Sequence, residues 1–335
     1  MIIETELIKE QCSKISQAVS RGTDSEQVGN VNITEVLELY SFDRMLYINV
    51  TNREYYVRVK INIDSDETLH ATVNAALFLK LITQVTTPDV ELSIKGQSLL
   101  IKANGTYRLP LIYAGDRLLE LPEITVNNVT CSMTIPSSTL LSILKYNSRE
   151  IGKKVVAKPV QRMYYIDEKG AITFTSSACV NSFTLDRPVR MLLNNKIVKL
   201  FKLFTDEYVE FNLGHDLAVG DILQTKVSFK SEDVELTAIL SCDDTLLNSV
   251  PVNSIRTMAE NPYPYTATLS RDGMLQAINR LSLFTQSLDS EAYFEFSADK
   301  LTIYSADKEN SESILYMGNA LNLVQPITVC LLYTS

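Results

Sequence analysis

Five stretches of the sequence repeat one pattern, in which a polar or small residue precedes an amphipathic segment and then alternating strands. The stretches begin near residues 5, 74, 137, 194 and 271. Apolar and polar residues alternate in VELSIKG, VEFNLG and YFEFSAD, which is typical of half-buried strands. Short side-chain oxygens can accept hydrogen bonds from the free N–H groups of a first helical turn. We therefore predict short helices on many antiparallel strands, with N-caps at Asn74, Ser137, Asn194 and Ser270.

The stretch NNKIVKLFKLF (194–204) divides most clearly into two faces. Its lysines recur every third residue, at Lys196, Lys199 and Lys202, and apolar residues fill the positions between them. On a helix, the lysines lie on one side and most of the apolar residues on the other. A solvated surface would explain such a face, and so would a surface that binds phosphate groups.

The helical segments form pairs, and the first segments of the pairs are about 130 residues apart, the spacing of a repeated domain. We therefore predict an α+β protein of three similar domains, each with two helices packed on antiparallel sheets. The expected boundaries give domains at 1–124, 125–253 and 254–335. Pro122 and Pro251 lie near these boundaries, where they would interrupt strands.

The charge balance limits the partners. The chain has 335 residues and a net charge of −9, which argues against a protein that is basic over its whole surface. Basic residues gathered on one surface remain compatible with this total. No apolar run approaches the ~18 residues of a transmembrane helix. Acidic residues also occupy the N-terminus, where a signal peptide would be basic and then apolar. We expect a cytoplasmic protein with no membrane contact.

The sequence offers little for a metal, a cofactor or catalysis. Five cysteines lie far apart without a CxxC pair, and there are two histidines, so no zinc-like spacing occurs. Nucleotide-binding and hydrolase motifs are absent as well. The acidic stretch IDSDETLH (63–70) suits a solvated turn better than a metal site. We predict no cofactor, no metal and no enzymatic activity. An enzyme that uses these acids is a remote alternative.

Three segments resemble the bacterial DNA sliding clamp family, the beta subunit of DNA polymerase III. The region from TVNAALFLK to LLELPEI (72–124) is similar to the family's helix, paired strands and Leu-Pro-Glu-Ile exit from the first domain. QRMYYIDEKGAITF (161–174) resembles a strand pair of the second domain. GMLQAINRLSLFTQ (273–286) and the strands after it resemble the third. The resemblance implies a head-to-tail homodimeric ring with helices lining the hole and sheets forming the outer wall, in a divergent or phage-borne member of the family.

The resemblance also implies positions that face DNA, with contacts to double-stranded DNA that read no sequence. Arg21 follows the first helix, where the family has a DNA-contacting arginine. Arg162 and Tyr164 match a loop edge that touches the template strand in the family, although a tyrosine in an alternating strand is more often a core residue. The implied DNA-facing residues are Arg21, Lys80, Lys145, Arg149, Arg162, Tyr164, Lys196, Lys199, Lys202 and Arg280.

Partner sites follow from the same resemblance. The family holds short peptide motifs of the replicative polymerase and of the clamp loader in a pocket between its second and third domains. The aligned residues here are Thr175, Ser177, Val180, Val250 and Pro251. Of the family's Thr-Asp-Gly-His-Arg-Leu, only the threonine is kept in this chain, with an aliphatic residue, Val180, at the last position. We therefore expect a different peptide preference. Residues aligned with Leu283 and Phe284 lie at the family's dimer interface.

The end of the chain departs from the family pattern, in which a further helix follows a strand like PITV. CLLYTS (330–335) resembles the translation of a common sequencing adaptor, so we expect the third domain to be cut short there. Taken together, the sequence predicts a non-catalytic clamp that increases polymerase processivity. The alternative is a structural or assembly protein of similar repeat fold without a role on DNA.

Overall fold

The computed structural model describes residues 1–19, 27–28, 31–152, 157–217, 223–240, 244–284, 290–305 and 307–333. The helices in these ranges are α1 (Thr5–Ile15), α2 (Ala75–Thr83), α3 (Ser137–Ser142), α4 (Asn195–Lys199), α5 (Asp244–Asn248), α6 (Val252–Glu260) and α7 (Arg271–Leu281). The strands are β1 (Ile2–Glu4), β2 (Gln27–Val28), β3 (Val31–Asn32), β4 (Val36–Phe42), β5 (Met45–Thr51), β6 (Tyr55–Asn62), β7 (His70–Asn74), β8 (Asp89–Lys95), β9 (Ser98–Lys102), β10 (Thr106–Pro110), β11 (Tyr113–Ala114), β12 (Arg117–Leu118), β13 (Val129–Pro136), β14 (Met163–Asp167), β15 (Gly170–Phe174), β16 (Ala178–Ser182), β17 (Arg190–Asn194), β18 (Tyr208–Leu217), β19 (Leu223–Lys230), β20 (Val234–Leu240), β21 (Ser290–Phe296), β22 (Lys300–Tyr304), β23 (Ser311–Leu315) and β24 (Ile327–Tyr333).

The five helices expected from the pattern are present, and three of the four predicted caps are confirmed. The side chains of Asn74, Asn194 and Ser270 each accept a hydrogen bond from a main-chain N–H in the first turn of the following helix. The prediction for Ser137 is wrong. Pro136 occupies the cap position of α3 without a side-chain bond, and the Ser137 hydroxyl donates to the Glu207 carbonyl oxygen instead.

The third predicted helix is shorter than its amphipathic pattern suggests. After α3 the backbone continues as a π-helical turn over Ile143–Asn147 and a 3-10 turn over Ser148–Glu150. Asn147 is fully buried, and its amide nitrogen lies 3.2 Å from the Ala171 carbonyl oxygen of β15. The Thr173 hydroxyl donates to the Asn147 carbonyl at 2.8 Å. Asn147 is thus bonded to β15 through both its side chain and its carbonyl oxygen, at the point where the helical segment passes into a 3-10 turn.

An eight-stranded antiparallel sheet joins the first two predicted repeats. Its strand order is β13-β18-β19-β20-β6-β5-β4-β7. Strand β20 of the second repeat pairs with β6 of the first, with Val234 opposite Val59 and Leu236 opposite Val57. The two repeats therefore share one continuous hydrogen-bonded sheet.

The helices of both repeats pack on one face of this sheet. Alternate residues of its strands point to that face and enter a single apolar core, in which α1 packs on β5 and β6 and α2 on β4 and β7. In the second repeat, Phe201 and Phe204 after α4 lie against Phe229 of β19, with ring centroids 5.0 and 6.3 Å apart. Burying this face fixes which side of every helix points away from the sheet.

The opposite face of the sheet is crossed by the segment that links the two repeats. Leu119, Leu121 and Ile124 are buried there in a small cluster with Tyr56 of β6. An ion pair between Arg58 and Glu123, at 3.1 Å, fixes the same segment to β6. The link thus covers the junction between the repeats on the side away from the helices.

Two compact units can be distinguished, residues 1–259 and 260–335. The first contains both repeats described above. Its boundary falls at the end of α6, in a region where the sequence suggested interrupted strands but where α5 and α6 are helical. The second unit has a four-stranded sheet, β23-β22-β21-β24, on which α7 packs through Ala277 and Leu281. The three-domain boundaries predicted from the repeat remain a prediction.

None of the helices in the described ranges is both long enough and apolar enough to cross a membrane.

Candidate nucleic-acid interface

The two faces predicted for residues 194–204 are confirmed. Lys196, Lys199 and Lys202 are exposed. The apolar residues between and after them are buried, with none more than 2% exposed: Ile197, Val198, Leu200, Phe201, Leu203 and Phe204. α4 continues as a 3-10 turn over Leu200–Leu203. Because the apolar side is buried against the eight-stranded sheet, the three lysines point away from it.

Two further cations lie on the neighbouring helical segment. Lys145 in the π-helical turn and Arg149 in the 3-10 turn after it are both exposed. The π-helical turn packs against α4, and α3 packs against the 3-10 turn after α4. The second repeat therefore gathers five basic side chains on adjoining helical segments.

The first repeat carries less free positive charge. Lys80 on α2 is exposed, but the lysines of α1 are paired with carboxylates. Lys9 lies 3.2 Å from Glu6, and the buried Lys14 lies 3.0 Å from Glu10. Lys14 also bonds Asp233 at 2.6 Å. Burial lowers the pKa of Lys14, but the bonds to Asp233 and Glu10 outweigh that effect and raise its pKa above the ordinary value.

The exposed cations differ in how far they are neutralised. Within 4 Å, no carboxylate of the described residues pairs with Lys80, Lys199 or Lys202. Lys196 has a partner in Glu54, at 3.6 Å. Lys145 lies over the Tyr146 ring, with its ammonium group 5.2 Å from the centroid, a contact that leaves its positive charge in place.

The remaining predicted DNA-facing residues are in different settings. In the second unit, Arg280 near the end of α7 makes two bonds to Glu312, at 2.6 and 2.5 Å. Hydrogen bonding between the two side chains raises the pKa of Arg280 and lowers that of Glu312. The positive charge of this guanidinium is therefore already neutralised by a carboxylate. Arg162 is exposed at the end of a 3-10 turn, Pro159–Arg162. Arg21 lies outside the described residues.

Tyr164 is a correction to the predicted set. Its side chain is fully buried, and its hydroxyl donates to Asn195 Oδ1 at 3.0 Å. Burial raises the pKa of its hydroxyl to about 12. A ring enclosed on both faces cannot stack on a base, so Tyr164 belongs to the core. In the structure Tyr164 and Ile166 lie on the face of β14 that enters the large apolar core, whereas Tyr165 belongs to another cluster.

The residues predicted for a peptide pocket lie in three different settings. Val180 and Val250 belong to one apolar cluster of the first unit, together with Val160. The hydroxyls of Thr175 and Ser177 both donate to Glu150 Oε2, at 3.1 and 2.8 Å. The last member of the set, Pro251, is exposed. Sequence comparison did not single out Glu150, because its role depends on the turn that brings it to residues 175–177.

The predicted dimer-interface pair has the exposure that such a role requires. Leu283 is 80% exposed and Phe284 is 55% exposed, at the 3-10 turn that follows α7. Large apolar side chains of this kind stay exposed in a single chain when a partner covers them in an assembly.

The described residues hold no group of three or more metal-ligating side chains that could form a metal site. Asp64 and Asp66 of the acidic stretch are highly exposed and lie near Arg44, at 3.7 and 3.8 Å. This is the geometry of a solvated turn. Burial raises the pKa of the Cys12 thiol to about 12, which leaves it unreactive at neutral pH.

Several known structures with the same fold are bacterial beta clamps. The Helicobacter pylori beta clamp bound to a DNA ligase peptide matches with a TM-score of 0.75 and 14% identity, over 99% of this chain and 88% of that one. The Pseudomonas aeruginosa DnaN sliding clamp bound to griselimycin matches with a TM-score of 0.75 and 14% identity, over 98% and 86%. The Thermotoga maritima DNA polymerase III beta subunit matches with a TM-score of 0.72 and 15% identity, over 98% of this chain and 86% of that one.

No protein-family model matches the chain, and no curated protein matches it in sequence. The similarity to known proteins is therefore structural, and it covers nearly the whole chain. The resemblance predicted from the sequence is confirmed at the level of architecture: this chain has the fold of the bacterial DNA polymerase III beta sliding clamps.

Proposed function

We propose that this chain is a DNA sliding clamp, a processivity factor that encircles duplex DNA and tethers a replicative polymerase. The observation that carries the proposal is the lysine face of residues 196–202, which points away from a sheet that buries every apolar residue between the lysines. Sequence-independent attraction to phosphates is what flexible ammonium groups on such a surface provide.

The mechanism is topological and involves no catalysis. Mobile phosphate contacts keep the duplex near the helices without reading its sequence, so the protein can move along DNA. A second copy of the chain, joined head to tail, would close the ring. The exposed Leu283 and Phe284 suit one side of that joint.

Partners would bind through short peptide motifs. The H. pylori neighbour is described as bound to a DNA ligase peptide, and the apolar cluster with Val180 and Val250 offers a comparable anchor here. A replicative polymerase and a clamp loader are the expected partners, with the loader supplying ATP-driven opening. Such a protein acts in the cytoplasm, where the replicating DNA is.

The test separates topological linkage from simple charge attraction. The chain is incubated with a bead-bound linear duplex, the free end is blocked with a bulky adduct, and the beads are washed at high salt. Salt removes protein that is held only by phosphate contacts. A clamp remains on the blocked duplex and is released when a restriction enzyme cuts it. Complete loss in the high-salt wash would favour the structural-protein alternative.

A further inference from the structure

We infer that, within residues 1–259, the duplex phosphates are held chiefly by the helical segments of the second repeat, and that the first repeat contributes little. We define the second-repeat helices as residues 137–150 and 195–203, and the first-repeat helices as α1 and α2. The inference rests on the proposed function and says which part of the surface performs it.

All four helices lie on the same face of the eight-stranded sheet, so their outward faces can be compared directly. Equal sharing of the phosphates would require similar free positive charge on both pairs. The described residues do not have that distribution.

On α1 the acids are more exposed than the bases. The side chains of Glu6 and Glu10 are 80% and 59% exposed, whereas those of Lys9 and Lys14 are 27% and 11% exposed and paired with them. A phosphate that approaches α1 therefore meets carboxylates first, and like charges repel at this range. Lys80 is the exposed lysine of α2.

The second-repeat helices have the opposite balance. Lys145, Arg149, Lys196, Lys199 and Lys202 are exposed. Two acids lie beside them: Glu54 pairs with Lys196 at 3.6 Å, and Glu150 already accepts bonds from the hydroxyls of Thr175 and Ser177. The excess of positive charge thus rests on Lys145, Arg149, Lys199 and Lys202. In a chain of net charge −9, a local excess of cations determines where a polyanion can approach. The duplex therefore lies against the second repeat.

The salt dependence of binding measures this distribution. Each phosphate contact contributes about 0.9 to the slope of log affinity against log salt concentration. Two double variants of the full chain remove equal charge: Lys199→Gln/Lys202→Gln in the second repeat and Lys9→Gln/Lys80→Gln in the first. Fluorescence anisotropy with a labelled blunt duplex, over a range of NaCl concentrations, gives the slope for each. Thermal unfolding of both variants checks that the fold is intact.

We expect the slope to fall by about 2 in Lys199→Gln/Lys202→Gln and by about 1 or less in Lys9→Gln/Lys80→Gln. Glu6→Gln/Glu10→Gln should raise the affinity, because it removes repulsion from α1. If the slope fell equally in the two double variants, or fell more in the first-repeat variant, the inference would be wrong. The proposed clamp function would not be affected by that result. A wild-type chain without salt-dependent duplex binding would overturn both.

Discussion

Glu54 and Lys196 form an ion pair between the two repeats, with Lys196 Nζ 3.6 Å from Glu54 Oε2. Glu54 lies in the turn between β5 and β6, and the same oxygen is 3.5 Å from the amide nitrogen of Asn194, the cap of α4. One carboxylate of the first repeat thus contacts both the cap and the first lysine of the most basic helix. Its charge competes with DNA phosphates for Lys196.

Replacing Glu54 with Gln should strengthen duplex binding. The change frees the Lys196 charge, and we expect affinity at low salt to rise about two- to five-fold, with stability altered by less than about 1 kcal/mol because both side chains are about half exposed. Anisotropy titrations measure the affinity. Glu120→Gln removes the same charge from the linking segment on the other side of the sheet and should have a smaller effect. If affinity rose equally in the two variants, the net charge of the protein would explain the effect and the Glu54–Lys196 pair would not.

The caps of α2 and α4 should stabilise the protein measurably. The Asn74 and Asn194 side chains accept from the N–H groups of Leu77 and Ile197, at 2.9 and 3.0 Å. We expect Asn74→Ala and Asn194→Ala each to lower the free energy of unfolding by about 1 kcal/mol. Ser137→Ala serves as the comparison, because Ser137 makes no cap bond. It should lower the free energy of unfolding by less than either asparagine variant does. Urea unfolding measures all three, and an equal loss for Ser137→Ala would contradict this account.

Asp216 should contribute to stability against acid. It bonds Lys226 at 3.1 Å and the main-chain N–H groups of Asn127 and Asn128 at 3.4 and 3.2 Å. Burial raises its pKa, but these bonds outweigh burial and the pKa lies below the ordinary value. The contribution is therefore present above the unfolded-state pKa of about 4 and is lost as pH falls below it.

Asp216→Asn tests this contribution. The variant should be less stable than wild type at neutral pH, and the difference should shrink as pH drops below about 4, the ordinary pKa of an aspartate. Unfolding measured at several pH values gives the comparison. Asp186→Asn removes an exposed carboxylate and is the control. A difference that stays constant down to the lowest pH would exclude a lowered pKa for Asp216.

Tyr164 should contribute to folding stability and should not contribute to DNA binding. Tyr164→Phe loses the hydrogen bond to Asn195, and we expect a cost of about 0.5–1.5 kcal/mol in the free energy of unfolding. Tyr164→Ala leaves a cavity and should cost about 3–5 kcal/mol. The Phe variant should bind duplex as wild type does in anisotropy titrations. Weaker binding by a well-folded Phe variant would mean that the hydroxyl reaches the DNA.

Leu283 and Phe284 should be required for dimerisation. Because both are exposed, Leu283→Ala/Phe284→Ala should leave the melting temperature of the single chain nearly unchanged. The loss of two apolar contacts should raise the dimer dissociation constant about ten-fold or more. Sedimentation velocity measures this change. Tyr208→Ala removes another exposed ring, in the second repeat and so away from both ends of a head-to-tail joint, and should not affect dimerisation. An unchanged dissociation constant in the double variant would remove this pair from the interface.

The regular parts of the fold could be predicted because local sequence controls them. Asn74 and Asn194 cap helices through atoms within three residues, and the lysine face of 196–202 follows from helical periodicity. Alternation also predicted the strands around Val90 and Val209. The overall clamp architecture followed because three weak resemblances occurred in the expected order.

What could not be predicted depends on residues far apart in the chain. Ser137 looked like a cap, but Pro136 takes that position. The α-helix over 137–142 passes into a π-helical turn that ends at Asn147, whose bonds to Ala171 and Thr173 of β15 no local pattern reveals. The same holds for the Glu54–Lys196 pair and for the bonds of Glu150. The burial of Tyr164 could be judged only once the strand faces were known.

The pairing of β6 with β20 has a consequence for dividing this protein into fragments. A fragment ending at residue 124 would keep the first repeat but leave β6 as an open edge, with main-chain N–H and C=O groups unpaired and with Val57 and Val59 deprived of their cross-strand neighbours on β20. Such edges template association with other chains. The first repeat is therefore a poor unit for expression by itself, whereas residues 1–259 form a compact unit that contains every strand of that sheet.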